Sequence, residues 1–201
     1  MSKSVNHKYR TNAKIVSVTI LYSIYLHAFL KGFNSTDILF ANCINLTITT
    51  ILICISILDI DRLKISDSHL KLFFLTIVIS VLINPLDLTY EKLKDHLIAA
   101  LSAFTFIGAL SISTKKVANR TLVGFGDAKL FAITGAFLGT DKSFAVIGLA
   151  FITAGLFSFA ARTMNKIKPW QPFPFAPFIC IAIQIVWILD KDFGIVQLFV
   201  R

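Results

Sequence analysis

Two stretches of this 201-residue chain place acidic side chains where long apolar runs give way to charged loops. The first is Asp59-Ile-Asp-Arg-Leu-Lys-Ile-Ser-Asp67, and the second is Gly124-Phe-Gly-Asp-Ala-Lys-Leu130. A carboxylate at membrane depth is costly to hold, so such a residue is a functional candidate by default. Two carboxylates brought together can share one proton, because like charges at close range do not both ionise. Such a pair serves acid–base hydrolysis or the binding of protons and cations in transport. Each stretch also has a plain structural reading. Asp59 and Asp61 suit a solvated loop at a helix end, Asp127 suits an N-cap that accepts from free amides, and the two glycines suit a turn. Taken separately, neither stretch decides between these readings.

The elements that must position these residues are membrane helices. The chain is 56% hydrophobic, has nineteen Phe, a mean hydropathy of +0.76 and only 15% charged residues, against about a quarter charged in soluble domains. The charges cluster between long apolar runs, and a segment crossing hydrocarbon must satisfy its own backbone, so the runs predict helices. The fold class expected is all-α, a polytopic transmembrane bundle of about seven spans. The runs are near 15–30, 38–58, 70–83 (stopping by Asn84-Pro85), 97–112, 128–138, 143–161 and 176–189, against roughly 17–25 residues needed to cross. The fifth is too short: about eleven residues at 1.5 Å rise reach about 17 Å. Either a non-helical lead-in over 123–127 dips into the membrane, where protein or a water-filled cavity must surround it, or the local bilayer is thinned.

Basic residues set the orientation. Lys3, Lys8, Arg10 and Lys14, then Arg62, Lys64 and Lys71, then Lys115, Lys116, Arg120 and Lys129, then Arg162, Lys166 and Lys168 fall on one side, fourteen in all. Six fall opposite: Lys31, Lys92, Lys94, Lys142, Lys191 and Arg201. The N-terminus is therefore expected in the cytoplasm, with both acidic stretches on that same face. The alternation by loop also argues against nucleic acid as the partner of the +9 net charge, leaving the bilayer as the partner. Cys43, Cys54 and Cys180 lie singly inside apolar runs, without metal-ligand spacing, and read as buried small hydrophobes.

Together the motifs resemble one family. Gly124-Phe125-Gly126-Asp127, followed by Lys129-Leu130, Gly135 and Leu138-Gly139, is similar to the GxGD signature of prepilin peptidases. Asp59 followed by Ile65-Ser66-Asp67 resembles that family's other catalytic stretch, an Asp followed six to eight residues on by Ile/Leu-Pro-Asn/Asp, and Asp61 matches a second Asp seen in some members. Pro174-Phe175-Ala176-Pro177-Phe178 resembles its Pro-Phe-Gly-Pro-Phe. Ser66 and Ala176 are departures from the usual Pro and Gly, and neither removes a catalytic group. The likeness runs from about Asp59 to the last span, so 1–36 is expected to be a cytoplasmic segment plus an extra helix, and 37–201 the peptidase-like domain.

The resemblance implies a GxGD-type aspartic endopeptidase of the bacterial inner membrane, with Asp59 and Asp127 catalytic. Gly124, Gly126, Lys129, Asp61 and Asp67 support them, and no metal or organic cofactor is implied. The substrate implied is a prepilin with a short basic leader and a hydrophobic helix, cut after a Gly at the cytoplasmic face. Large members carry an insertion with paired cysteines linked to N-methylation. Its absence here implies peptidase without methyltransferase activity, similar to the minimal Flp (tight-adherence) type. Asp127 opens a helix and Asp59 closes one, so Asp59 is expected to hold the shared proton and Asp127 to act as base. Gly124 and Gly126 are expected to take positive φ and let backbone approach substrate, and Lys129 to snorkel into solvent, the alternative being contact with phospholipid or a carboxylate. The alternatives are an ion-coupled transporter, which predicts an inverted repeat that the sequence does not display, a catalytically inactive pilus-assembly relative, and a presenilin-type protease, whose first Asp has a different setting.

Overall fold

The computed structural model describes residues 14–23, 36–83, 89–118, 123–164 and 173–193. Expectations for residues 24–30, for Asn84-Pro85 and for Arg120, Lys166 and Lys168 lie outside them.

Seven α-helices carry the described residues, and no strand occurs among them. They are α1 (Lys14–Ser23), α2 (Thr36–Arg62), α3 (Asp67–Ile83), α4 (Tyr90–Ala118), α5 (Phe125–Leu138), α6 (Thr140–Thr163) and α7 (Ala176–Phe193). Three contain stretches long and apolar enough to cross a membrane: Cys43–Arg62, Tyr90–Lys116 and Thr140–Thr163. Lys14–Ser23 and Ala176–Asp190 are shorter apolar helices. Of the three, α2 is the most enclosed, with 44% of its apolar window buried against 28% for α4 and for α6. Leu97 and Leu101 of α4, and Ile152, Leu156 and Phe159 of α6, face outward, as an apolar solvent permits.

α5 is the shortest of the helices after α1, fourteen residues or about 21 Å. Its position is fixed by α3, α4, α6 and α7, all of which it contacts. The contact with α4 is backbone on backbone: a Cβ on Gly135 would stand 2.7 Å from the Ala99 carbonyl and the Ala100 nitrogen. The neighbours there, Ala99 and Ala103, are themselves small and buried. Small-on-small packing lets membrane helices approach this closely.

α5 runs into α6 through Gly139 alone, at φ +80. Only glycine takes that conformation without strain, and a Cβ there would meet Asp95 Oδ2 at 2.5 Å. Asp95 instead accepts the Thr140 amide (3.1 Å), and His96 Nδ1–H donates to the Ala136 carbonyl (2.8 Å). One turn of α4 thus caps both the end of α5 and the start of α6. Lys142 pairs with Asp190 of α7 at this same end.

The helix bounds agree with the apolar runs to within a few residues at most ends, while α4 extends six or seven further each way. One expectation is corrected. The lead-in to the short helix is irregular over Val123 and Gly124, but α5 has already begun at Phe125.

Candidate active site

Asp127 is the third residue of α5, whose N-cap is Gly124. Its Oδ2 folds back to accept the Gly124 amide at 2.9 Å, while the Asp127 amide donates to the Gly124 carbonyl at 3.1 Å. This is a capping box in which the acid returns to the cap backbone. Gly124 needs no unusual backbone, since its φ is −72. A Cβ there would instead crowd Asp127 Oδ2 at 3.1 Å. Gly126 lies inside the helix, where a Cβ would stand 3.2 Å from the Ile65 Cβ. The expected positive φ at these glycines is therefore corrected: the only positive-φ glycine among the described residues is Gly139. Gly124 and Gly126 are small because a carboxylate and a neighbouring turn occupy the space.

Asp59 is in the last turn of α2. Its Oδ2 accepts the Ala176 amide at 2.9 Å, with the Phe175 amide close by. Ala176 opens α7, so Asp59 occupies the N-terminal end of a helix 117 positions downstream. The Pro174-to-Phe178 stretch has its role here. Pro177 falls in the first turn, where a missing N–H costs nothing. Phe175 is buried against Phe131 of α5 and Phe151 of α6, at ring-centroid distances of 6.2 and 5.1 Å. The two rings fix the start of α7, and so the amides aimed at Asp59. Both aspartates therefore sit where free amides and the positive end of a helix dipole favour a carboxylate. The asymmetry drawn from sequence, with Asp59 at a helix end and Asp127 at a helix start, describes only half of Asp59's surroundings.

The two acids are 6% and 8% exposed and lie within reach of one another's charge. Among the described residues neither is ion-paired, whereas the other acids of this end are. Asp61 pairs with Lys14 of α1 (2.5 Å) and Asp67 with Lys129 (2.7 Å). Lys129 thus meets a carboxylate and does not extend alone into solvent. The Lys129 hydrogen bond and charge hold the Asp67 carboxyl below the usual carboxylate range. Of the two acids near the end of α2, Asp59 is the one that, among the described residues, has no counter-cation and lies in the field of Asp127.

Four further contributors were not among the site residues expected from sequence. Ser111 of α4 donates to the Val123 carbonyl (2.8 Å), anchoring the residue before Gly124. Ile65 fills the space that Gly126 leaves. Ser56 and Cys180 are buried one turn from Asp59 and Ala176 respectively, and the Cys180 thiol lies within the field of both acids. Their only sequence signal is spacing: Ser56 precedes Asp59 by three, and Cys180 follows Ala176 by four, each on the same helix face.

Two carboxylates so placed can divide the work of hydrolysis. The ionised one takes a proton from water as it attacks a carbonyl, and the protonated one polarises that carbonyl and then protonates the leaving amine.

Comparison with known proteins points the same way. The type IV leader peptidase family profile matches residues 46–159, which includes both acids but neither α1 nor the start of α7. The chain is similar to the prepilin leader peptidase/N-methyltransferase of Bacillus subtilis (strain 168), 31% identical over 130 residues, covering 65% of this chain and 49% of that protein. It is similar to that of Aeromonas salmonicida (strain A449), 26% identical over 145 residues, 71% of this chain and 48% of the relative. That of Stutzerimonas stutzeri is 26% identical over 144 residues, with the same shares. The chain spans about half the length of the curated relatives it matches. No solved structure matches it.

Proposed function

Because the chain belongs to the type IV leader peptidase family, we propose that it is a membrane-embedded aspartic endopeptidase that removes the short basic leader of type IV or Flp prepilins. The observation that carries this is the pair of buried acids, Asp59 and Asp127, near one another, each holding a helix N-terminal amide and neither ion-paired among the described residues. The pair shares one proton and titrates as a unit. Asp59 holding that proton, with Asp127 as base, is the assignment to be tested by a pH–rate profile; D59N retaining turnover refutes it.

All seven helices are read as crossing or entering the bilayer, with the N-terminus and the dyad at the cytoplasmic face of the bacterial inner membrane. The end bearing Asp59, Asp127 and Ala176 is then the cytoplasmic one, and the end bearing Asp95, Lys142 and Asp190 the outer one. Cleavage without N-methylation of the new terminus is the activity proposed.

The test is co-expression with a type IV or Flp prepilin in membranes, comparing wild type with D59A, D127A and D61N. A mobility shift lost in D59A and D127A at equal protein level, and kept in D61N, supports the reading. Loss in D61N with retention in D59A moves the first catalytic role to Asp61. Radiolabelled methyl donor in the same membranes reads the second activity.

A further inference from the structure

The turn between α2 and α3 reaches both acids. The Leu63 amide donates to the carbonyl of Asp59 itself at 2.8 Å, and Leu63 takes φ +52, a left-handed conformation disfavoured for any residue with a Cβ. Glycine is the usual residue at such a helix end. Two residues later the buried Ile65 packs against Gly126. A single strained turn therefore links the last turn of α2, bearing Asp59, to the first turn of α5, bearing Asp127. An unsupported turn of this kind would relax and take Ile65 with it.

Support comes from both sides. Immediately before the turn, Asp61 is held by Lys14 of α1, which also buries Leu21 in the common core. Immediately after it, Asp67 is held by Lys129 of α5, two residues past Asp127. Lys64 and Lys71 add their fields at Asp67. We propose that these two ion pairs form an electrostatic splint across the 63–66 turn, so that Lys14, Asp61, Asp67 and Lys129 are positioning residues for the Asp59–Asp127 pair.

This gives α1, which lies outside the family match, a place in the active unit. Partly exposed ion pairs add little to global stability, whereas a small displacement of reacting groups is costly in rate. The splint is therefore read chiefly in turnover, with only a small effect on unfolding. Its kinetic consequence rests on the peptidase reading, and its geometric one does not.

The experiment has two readouts in the same membranes. In prepilin cleavage, D61N and D67N should each lower kcat about threefold and together about tenfold, with KM and protein level unchanged. The charge swap D67K/K129D should recover most of the D67N loss. S66P, which fixes φ just ahead of α3, should recover most of the D61N/D67N loss. In the second readout, with Cys43, Cys54 and Cys180 replaced by Ala, I65C and G126C should form a disulfide, and D61N/D67N should slow its formation. Unchanged kcat and unchanged cross-linking overturn the proposal, as does a kcat loss that neither the swap nor S66P restores. Cross-linking that responds to the charges while wild type cleaves no precursor keeps the splint and removes the peptidase reading.

Discussion

The two acids are seated by opposite strategies. Asp127 is held by the backbone of its own helix, three residues away. Asp59 is held by a helix that begins 117 residues later and is fixed by Phe175 between two other helices. The chemistry of the seats is the same, an amide donating to a carboxylate oxygen at 2.9 Å in both. What differs is what must fold first. A locally held acid needs only α5 and its cap, while a distantly held one needs α2, α5, α6 and α7 already packed.

The largest effect tests whether the two acids are equivalent despite this. D59N and D127N are each expected to lower cleavage by about 10²–10⁴-fold in the prepilin assay, with unchanged protein level. A tenfold or smaller loss in either would break the symmetry of function that the shared proton requires.

Next come the glycines. G126V is expected to reduce cleavage about a hundredfold through displacement of Ile65, with the protein still inserted and folded. G135V should act on the bundle instead, lowering the unfolding midpoint in detergent, since overpacking costs about 1–3 kcal/mol or more and here meets α4 backbone at 2.7 Å. Thermal unfolding of the two variants side by side separates the roles.

A matched pair then isolates the seats. Proline removes one N–H: Ala176 opens α7, where proline is tolerated, and Gly124 has φ −72, although a Cβ there also meets Asp127 Oδ2 at 3.1 Å. A176P and G124P should each lose a hydrogen bond to a charged group, about 1.5–3 kcal/mol, or roughly 10–100-fold in kcat. The distant seat should also lose stability, which the local one should not. Equal unfolding midpoints would remove the contrast drawn above.

The smallest effect concerns pH. Lys129 depresses the Asp67 carboxyl, so the pair's contribution is present above the ordinary carboxylate pKa near 4 and is lost as pH falls through the lower folded value. Unfolding curves of wild type and D67N should therefore differ slightly at pH 7 and converge only as pH falls from about 4 through that lower value. Divergence at low pH would reverse the sign.

The helices were legible because a bilayer forces apolar runs into helices and leaves few alternatives. α4 outran its apolar core since Glu91, Lys92, Lys94 and Lys115 continue the helix beyond the hydrocarbon without being apolar. Asp127 was legible because its cap, its glycines and its acid are contiguous. The seat of Asp59 was not. The Pro-Phe-Ala-Pro-Phe stretch was visible as a pattern, but nothing in residues 59–67 states which helix end will face them. Gly124 and Gly126 were expected to take positive φ and do not, because sequence reports the absence of a side chain and not what fills its place. The Lys129–Asp67 and Lys14–Asp61 pairs were out of reach for the same reason, spanning 62 and 47 positions.

The placement of Asp59 against the first amide of α7 has a consequence for the order in which the protein comes into being. Synthesis and insertion run from the N-terminus, so Asp59 and Asp127 are both in the membrane well before Ala176 is made. Until α7 docks, Asp59 lacks the donors that fix its carboxylate, and the pair is present without being assembled. The assembled pair is thus a product of the last described helix to be made, and not of the two segments that carry the acids.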